Sequence, residues 1–268
     1  AANSCSEGVG GVVFNTPIAD LRIRIPNLIL VLTCEEERSG KNGMTGLWGK
    51  RICSRADGTE GCTAIDLAIV GEPTGMDAAV GERGLLVFDA TVHGVRGHAA
   101  RNEGENALYK AIEDIERLRN YRFERCSELL GDINIAVTMI SAGLQHNVVP
   151  DECKFVVDVR TTDAYTNEET VELLQSVVEC EMVPRSTRVR ASAIGSEHPL
   201  VKAAVAMGRA TFVSPTTSDM ALMPFPSLKM GVGESARSHS ADEFVFESEI
   251  VEGVALYDIF INELNKLI

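Results

Sequence analysis

No two of the seven cysteines stand in CxxC spacing, and their number is odd. That argues against a disulfide framework and against a zinc ribbon. Several of Cys5, Cys34, Cys53, Cys62, Cys126, Cys153 and Cys180 sit in apolar surroundings and are expected as small core residues. Their usage fits a reducing, cytoplasmic compartment. No apolar run approaches the roughly 20 residues that a membrane span needs. The opening residues AANSCSEGVGG have neither a basic nor an apolar region, so no secretory signal is read there. The chain does not begin with Met, and an upstream start is expected. HExxH, GxSxG and a Walker A loop are all missing, as are internal repeats and low-complexity tracts. GVGG at 8–11 follows no strand pattern, so a dinucleotide loop is not expected.

Cationic surface is also scarce. Against 39 Asp and Glu stand 25 Lys and Arg, a net charge of −14. Phosphate backbones and anionic lipid would repel such a chain, so neither a nucleic acid nor a membrane partner is expected. The acidity is spread along the sequence and reads as solubility plus room for a cation site. The length, 268 residues, suits one large domain or two modest ones.

What is present falls into two patterns. LILVLTC (28–34) and DLAIV (66–70) are dense apolar runs, expected as parallel strands buried on both faces. SLKMGVG (227–233) is a third candidate. The last segment carries Ile250, Val254, Tyr257, Ile261 and Leu264 at spacings of three and four, an amphipathic helix that would cover such a sheet.

The middle reads differently. In LLVFDATVHG, Leu86, Phe88, Ala90 and Val92 alternate with Val87, Asp89, Thr91 and His93. INIAVTMISAG and CKFVVDVRTT alternate too, the latter with Phe155, Val157 and Val159 opposite Lys154, Asp158 and Arg160. These are half-exposed antiparallel strands. Two helices lie among them, one with Leu108, Ala111, Ile112, Ile115 and Leu118 on a face, the other with Val171, Leu174, Val177 and Val178. With RVRASA as the last strand the order is β-α-β-β-α-β, a ferredoxin-like unit. The expected organisation is an α/β domain over 1–82 and 193–268, with this α+β domain inserted at 83–192.

In open parallel sheets, sites form beyond the carboxyl ends of strands. The first apolar run leads into Glu35, Glu36 and Glu37, and the second into Glu72. If the two strands are neighbours, these carboxylates converge, and a divalent cation would relieve their repulsion. A solvated turn is the competing reading for each glutamate alone. Of the five histidines, His198 precedes Pro199 at a helix start and is read as structural, and His93 has no special context. His98, His146 and His239 stand in polar, glycine-rich settings, but spacing alone does not lift any of them above an ordinary surface histidine.

The motifs LTCEEERSG, AIVGEPTG, HGVRGHAARNEGENA, LQHNVVPD, FVVDVRTTD, PTTSDMA and ESARSHSADE occur in this order from about residue 28 onward. Taken together they resemble the zinc-dependent deacylase and aminopeptidase-like family that includes acetylornithine deacetylase, succinyl-diaminopimelate desuccinylase and aminoacylase. The resemblance is greatest on the acetylornithine deacetylase side, including relatives that deacylate citrulline derivatives in arginine synthesis. It implies a zinc-hydrolase-like α/β catalytic domain with an inserted lid and dimerisation domain, two zinc ions per subunit (or cobalt), a small N-acyl amino acid substrate and a homodimer. By the same resemblance Glu35 is the general base, and Glu36, Glu72 and His239 are metal ligands. Glu37 then lies outside the first ring of contacts. His98 reaches the partner subunit's active site, and Asn147 and Arg160 hold the substrate, Arg160 through its carboxylate.

The chain departs from that pattern near its beginning. The family's first His-x-Asp motif is not found, and Asn3 is followed by Ser4 where an Asp bridging both metals is expected. Gly8, Gly10, Gly11 and Pro17 disfavour the helix expected next. Weak zinc binding and little deacylase activity are therefore expected of this chain. The competing readings are a non-catalytic dimerising homologue and a dipeptidase or carboxypeptidase of the same fold.

Overall fold

Residues 11–15, 29–33, 36, 43, 44, 46, 65–101 and 103–268 are described in the computed structural model of this chain. The chain divides into two units, one comprising 1–81 with 193–268 and the other 82–192.

In the first unit, β1 (Gly11–Asn15) pairs antiparallel with β2 (Ile29–Thr33). A larger sheet holds β3 (Ala68–Val70) and β4 (Ala78–Glu82). The second unit follows with β5 (Gly84–His93), β6 (Gly97–His98), α1 (Ala107–Asn120), β7 (Asn134–Ala142), β8 (Val148–Val149), β9 (Glu152–Thr161), α2 (Asn167–Val177) and β10 (Glu181–Pro184). The chain then returns through β11 (Ser192–Ala193), α3 (Pro199–Ala206), β12 (Thr211–Ser214), β13 (Ser227–Lys229) and α4 (Glu247–Asn265).

The second unit is a four-stranded antiparallel sheet in the order β10-β5-β9-β7. Alternation in β5 and β9 puts Leu86, Phe88, Ala90, Val92, Phe155, Val157 and Val159 on one face, all buried. Ala107, Ala111 and Leu118 of α1 and Leu174 of α2 join them in the core. Each large side chain buried there contributes roughly 2 kcal/mol. Both helices start on side-chain caps. Asn106 Oδ1 accepts from the Leu108 N–H, and Thr166 and Glu169 form a reciprocal capping box.

Two expectations for this unit fail. The last strand is 181–184 rather than RVRASA. An edge strand needs ladder bonds on one side only, so EMVP is tolerated there despite Pro184. Only Ser192–Ala193 of RVRASA forms a strand, in the other sheet, while Val189 O still accepts from Leu85 N at 3.0 Å. On α1 the buried stripe includes Asp114, and Ile112 is exposed. The Asp114 carboxylate turns inward because it accepts the Glu179 and Cys180 N–H groups, both at 3.0 Å, and Arg117 Nη1 at 2.7 Å.

In the first unit, β13 runs parallel to β3 and antiparallel to β4, with β11 and β12 also on β4. Met76, Ala78, Val80, Leu200, Leu228, Met230, Phe260 and Leu264 form its core. His198 caps α3, its Nδ1 accepting from Leu200 N at 3.3 Å, and burial pushes the imidazole pKa down. On α4 the inward stripe is Gly253, Phe260 and Leu264, with Tyr257 half-buried and hydrogen-bonded through its hydroxyl to Met230 O. The expected stripe is corrected at its start, because Ile250 and Val254 are exposed. Gly253 sets the turn that approaches the sheet. A Cβ there would lie 2.0 Å from Val232 Cγ1.

Among the described residues the two apolar runs are not neighbours in one parallel sheet. β2 pairs with β1, and Leu30 and Leu32 are exposed. A short apolar run specifies a strand, but its partner is a non-local choice that periodicity does not reveal.

Candidate functional site

Glu72 lies just past the carboxyl end of β3, beside the matching end of β13. The two strand ends are laced together. Met230 N donates to Val70 O (2.9 Å), Thr74 N and Met76 N donate to Gly231 O (3.2 and 3.0 Å), and Gly75 N donates to Gly233 O (2.7 Å). Thr74 Oγ1 accepts from Gly231 N at 3.1 Å. Only glycine fits at 231, because a Cβ would come 2.6 Å from the Glu72 carbonyl oxygen. The carboxylate-bearing loop is thus held by backbone bonds rather than left as a free turn.

His239 follows the short helical turn Ser235–Arg237. It adopts φ 58°, in the left-handed region, which costs a non-glycine residue about 1 kcal/mol. Its N–H donates to Glu243 Oε2 at 3.1 Å, and its side chain is exposed. Arg237 anchors this loop. Its Nη1 and Nη2 donate to Glu249 Oε2 and Oε1 at 2.8 and 2.5 Å. Its guanidinium sits 5.0 and 5.1 Å from the Phe244 and Phe246 ring centres. The Arg237 bonds, then the Phe246 N–H, pull the Glu249 pKa down to about 2. A cavity of about 350 Å³ lies here, lined among others by Pro73, Val232, Glu234, Arg237, Ser238 and Phe244. Pro73 adjoins Glu72 and Ser238 adjoins His239, so the segments bearing these two residues meet at one cavity.

Glu35, Glu37 and Cys34 lie outside the described residues. Glu36 is described and is half-buried. The strand that leads to it is tied to the rest of the unit by Thr33, whose Oγ1 donates to Asp219 Oδ2 at 2.9 Å. Asp219 is buried, and burial raises its pKa, an effect that the Thr33 bond partly offsets. The premise that β2 and β3 stand side by side does not hold among the described residues. Nor do three His, Cys, Asp or Glu side chains come together there in a way that could hold a metal ion.

In the second unit, His98 and Asn147 are neighbours. β6 pairs with β8, His98 opposite Val148, and Ala99 N donates to Asn147 O at 3.1 Å. The His98 side chain is exposed, its Nδ1 accepting from Ala100 N at 3.2 Å. This β6–β8 pair lies beyond the Glu152 end of β9. Arg160 stands at the other end, eight positions on, or about 26 Å of extended strand. Arg160 Nε and Nη2 donate to Asp158 Oδ1 and Oδ2 at 2.8 and 3.2 Å. Within one copy of the chain, His98 and Asn147 therefore come together and Arg160 does not join them.

Sequence reasoning passed over Asp158, Asp219 and the Arg237–Glu249 pair. Asp158 was visible as a polar-face residue two positions from Arg160. The other two link residues too far apart in sequence for any local pattern to show.

Residues 80–185 match the family model described as a peptidase dimerisation domain. Over 196 residues the chain is 28% identical to a succinyl-diaminopimelate desuccinylase of Paracoccus denitrificans, covering 70% of this chain and 44% of the relative. The corresponding enzyme of Corynebacterium glutamicum is 26% identical over 213 residues, 75% of this chain and 58% of the relative. An acetylornithine deacetylase of Myxococcus xanthus is 29% identical over 157 residues, 56% of this chain and 38% of the relative. The chain spans about half the length of the curated relatives it matches. Among solved structures, aminopeptidase PepT of Bacillus cereus superposes with a TM-score of 0.67 at 15% identity, covering 92% of this chain and 67% of that one. The YXEP protein of Bacillus subtilis, described as a dinuclear metal binding peptidase from the M20 family, gives a TM-score of 0.61 at 16% identity, covering 89% and 65%. These likenesses show a mixed α/β fold shared with M20 peptidases, with a dimerisation domain in the second unit.

Proposed function

We propose that this chain belongs to an N-acyl amino acid deacylase, nearest in chemistry to acetylornithine deacetylase and the desuccinylases, that works as a homodimer through its second unit. The observation that carries this reading is Arg160. It is a part-exposed guanidinium with donors to spare, set in a segment that matches a peptidase dimerisation domain.

In this reading Arg160 grips the substrate carboxylate. Asn147 also holds the substrate, and His98 donates toward the amide oxygen as it gains charge, an effect worth about 3 kcal/mol in comparable sites. Glu35 takes the proton of the attacking water and returns it to the departing amine. Because Arg160 lies at the far end of β9 from His98 and Asn147, one substrate meets all three only if two copies of the chain contribute. Glu36, Glu72 and His239 remain the residues proposed for zinc or cobalt. The described residues do not gather three such ligands.

The test is a substrate panel with added zinc or cobalt. N-acetylornithine, N-acetylcitrulline and N-succinyl-diaminopimelate should be cleaved in preference to dipeptides, and Arg160→Ala should raise KM for them. Faster cleavage of dipeptides would favour the peptidase reading. Dimerisation and ligand binding with no cleavage of any compound would favour a non-catalytic homologue.

A further inference from the structure

Asp158 and Arg160 sit two positions apart on β9, so their side chains leave the same face of the sheet. It is the face opposite the buried Phe155, Val157 and Val159. Lys154–Glu152 on β9 and Arg117–Asp114 on α1 also lie within one element, though Asp114 bonds onward to the Glu179 and Cys180 N–H groups; other ion pairs in this unit join separate segments. Arg185 Nε and Nη2, for example, donate to Asp89 Oδ2 and Oδ1 at 2.9 and 2.7 Å and tie the end of β10 to β5. The Asp158–Arg160 pair joins nothing to anything else. Its effect is confined to the conformation of one long side chain.

The geometry of the pair is specific. Asp158 takes the Nε–H and one Nη2–H, the side edge of the guanidinium. Arg carries five N–H donors in a rigid plane. Both hydrogens of Nη1 and the second of Nη2 are left over; the latter and one of the Nη1 pair form the end edge, which matches a carboxylate in a two-point fork. The Arg160 side chain is 40% exposed and that of Asp158 25%, so the pair is not sealed off from a ligand.

We propose that Asp158 is a positioning residue for carboxylate recognition, holding Arg160 so that its Nη1–Nη2 edge faces the carboxylate of an N-acyl amino acid. This rests on the carboxylate-binding role proposed above for Arg160. Two effects of Asp158 oppose each other. Fixing the Arg160 side chain in advance removes an ordering cost from binding. The Asp158 charge, however, repels the incoming carboxylate. Salt separates the two, because screening weakens the repulsion at high ionic strength and leaves the ordering effect in place.

The test is calorimetric binding of N-acetylornithine and of its carboxamide to the full chain, at low salt and at high salt. The wild-type chain should prefer the acid, and Arg160→Gln should remove the preference. Asp158→Asn should weaken acid binding about three- to tenfold at high salt, less at low salt, and leave carboxamide binding unchanged. Asp158→Glu should recover part of the loss. Acid binding by Asp158→Asn at wild-type strength in both salts would overturn the positioning role while leaving Arg160's role intact. No acid preference in the wild type, or its survival in Arg160→Gln, would overturn the carboxylate site itself.

Discussion

Thr33 donates its hydroxyl to the Asp219 carboxylate at 2.9 Å, across 186 positions of sequence. The bond ties the end of β2 to the turn after β12 and ends on a buried carboxylate whose pKa is raised, first of all by burial. A raised pKa means that the folded state holds its proton more tightly than the unfolded state, whose reference value is 3.8. Ionised Asp219 therefore costs stability above its folded pKa, and the cost disappears as pH falls through that value toward 3.8. Asp219→Asn should be more stable than wild type in urea at pH 8, with the difference shrinking toward pH 4. A difference independent of pH would contradict this.

The Arg237–Glu249 pair predicts the opposite slope. Glu249 falls from 4.5 to about 2, so its contribution is complete above the unfolded value and is lost as pH falls from there through the folded one. The stability gap between wild type and Glu249→Gln should be flat above about pH 5 and should close between about 4.5 and 2. Urea midpoints across that range provide the check.

Asp114 is 2% exposed and accepts two backbone N–H groups from Glu179 and Cys180. Asp114→Ala leaves both donors without their acceptor and should cost about 2–4 kcal/mol in urea unfolding. The Cys180 thiol is pushed up to about 12 by burial and then by Asp114. Cys180 should resist alkylation at pH 8 in the wild type and react faster in the variant, while still slower than a free thiol because its burial remains.

Gly97 precedes His98, and a Cβ there would meet the Glu103 carbonyl oxygen at 2.1 Å. Backbone cannot step aside as a flexible side chain does. Gly97→Ala should lose about 1–3 kcal/mol and shift the His98 imidazole, seen as a changed His98 signal in NMR.

Sequence legibility followed burial. β5 and β9 were readable because their faces differ so sharply, with Phe88 and Phe155 buried and Asp89 and Lys154 exposed. α4 was readable as a helix, but not in the orientation of its first turns. Ile250 and Val254 have core-like chemistry, yet the stripe that packs runs through Gly253, where the absence of a side chain permits contact with Val232. Asp114 was unreadable because a buried carboxylate is recognised by its distant donors. The pairing of β2 was unreadable because partner choice lies outside any local window. Among the candidate site residues, His98 and Asn147 are brought together by the β6–β8 pairing, which 49 positions of separation in sequence conceal.

The central claim is that one substrate is held by residues from two copies of the chain. Mixing His98→Ala and Arg160→Ala chains after joint refolding tests it directly, with bound N-acetylornithine and its turnover as readouts. Each variant alone should be deficient. The equal mixture should recover about a quarter of wild-type sites, because half of the dimers are mixed and each mixed dimer restores one of its two sites. A mixture as deficient as the separate variants would contradict the account.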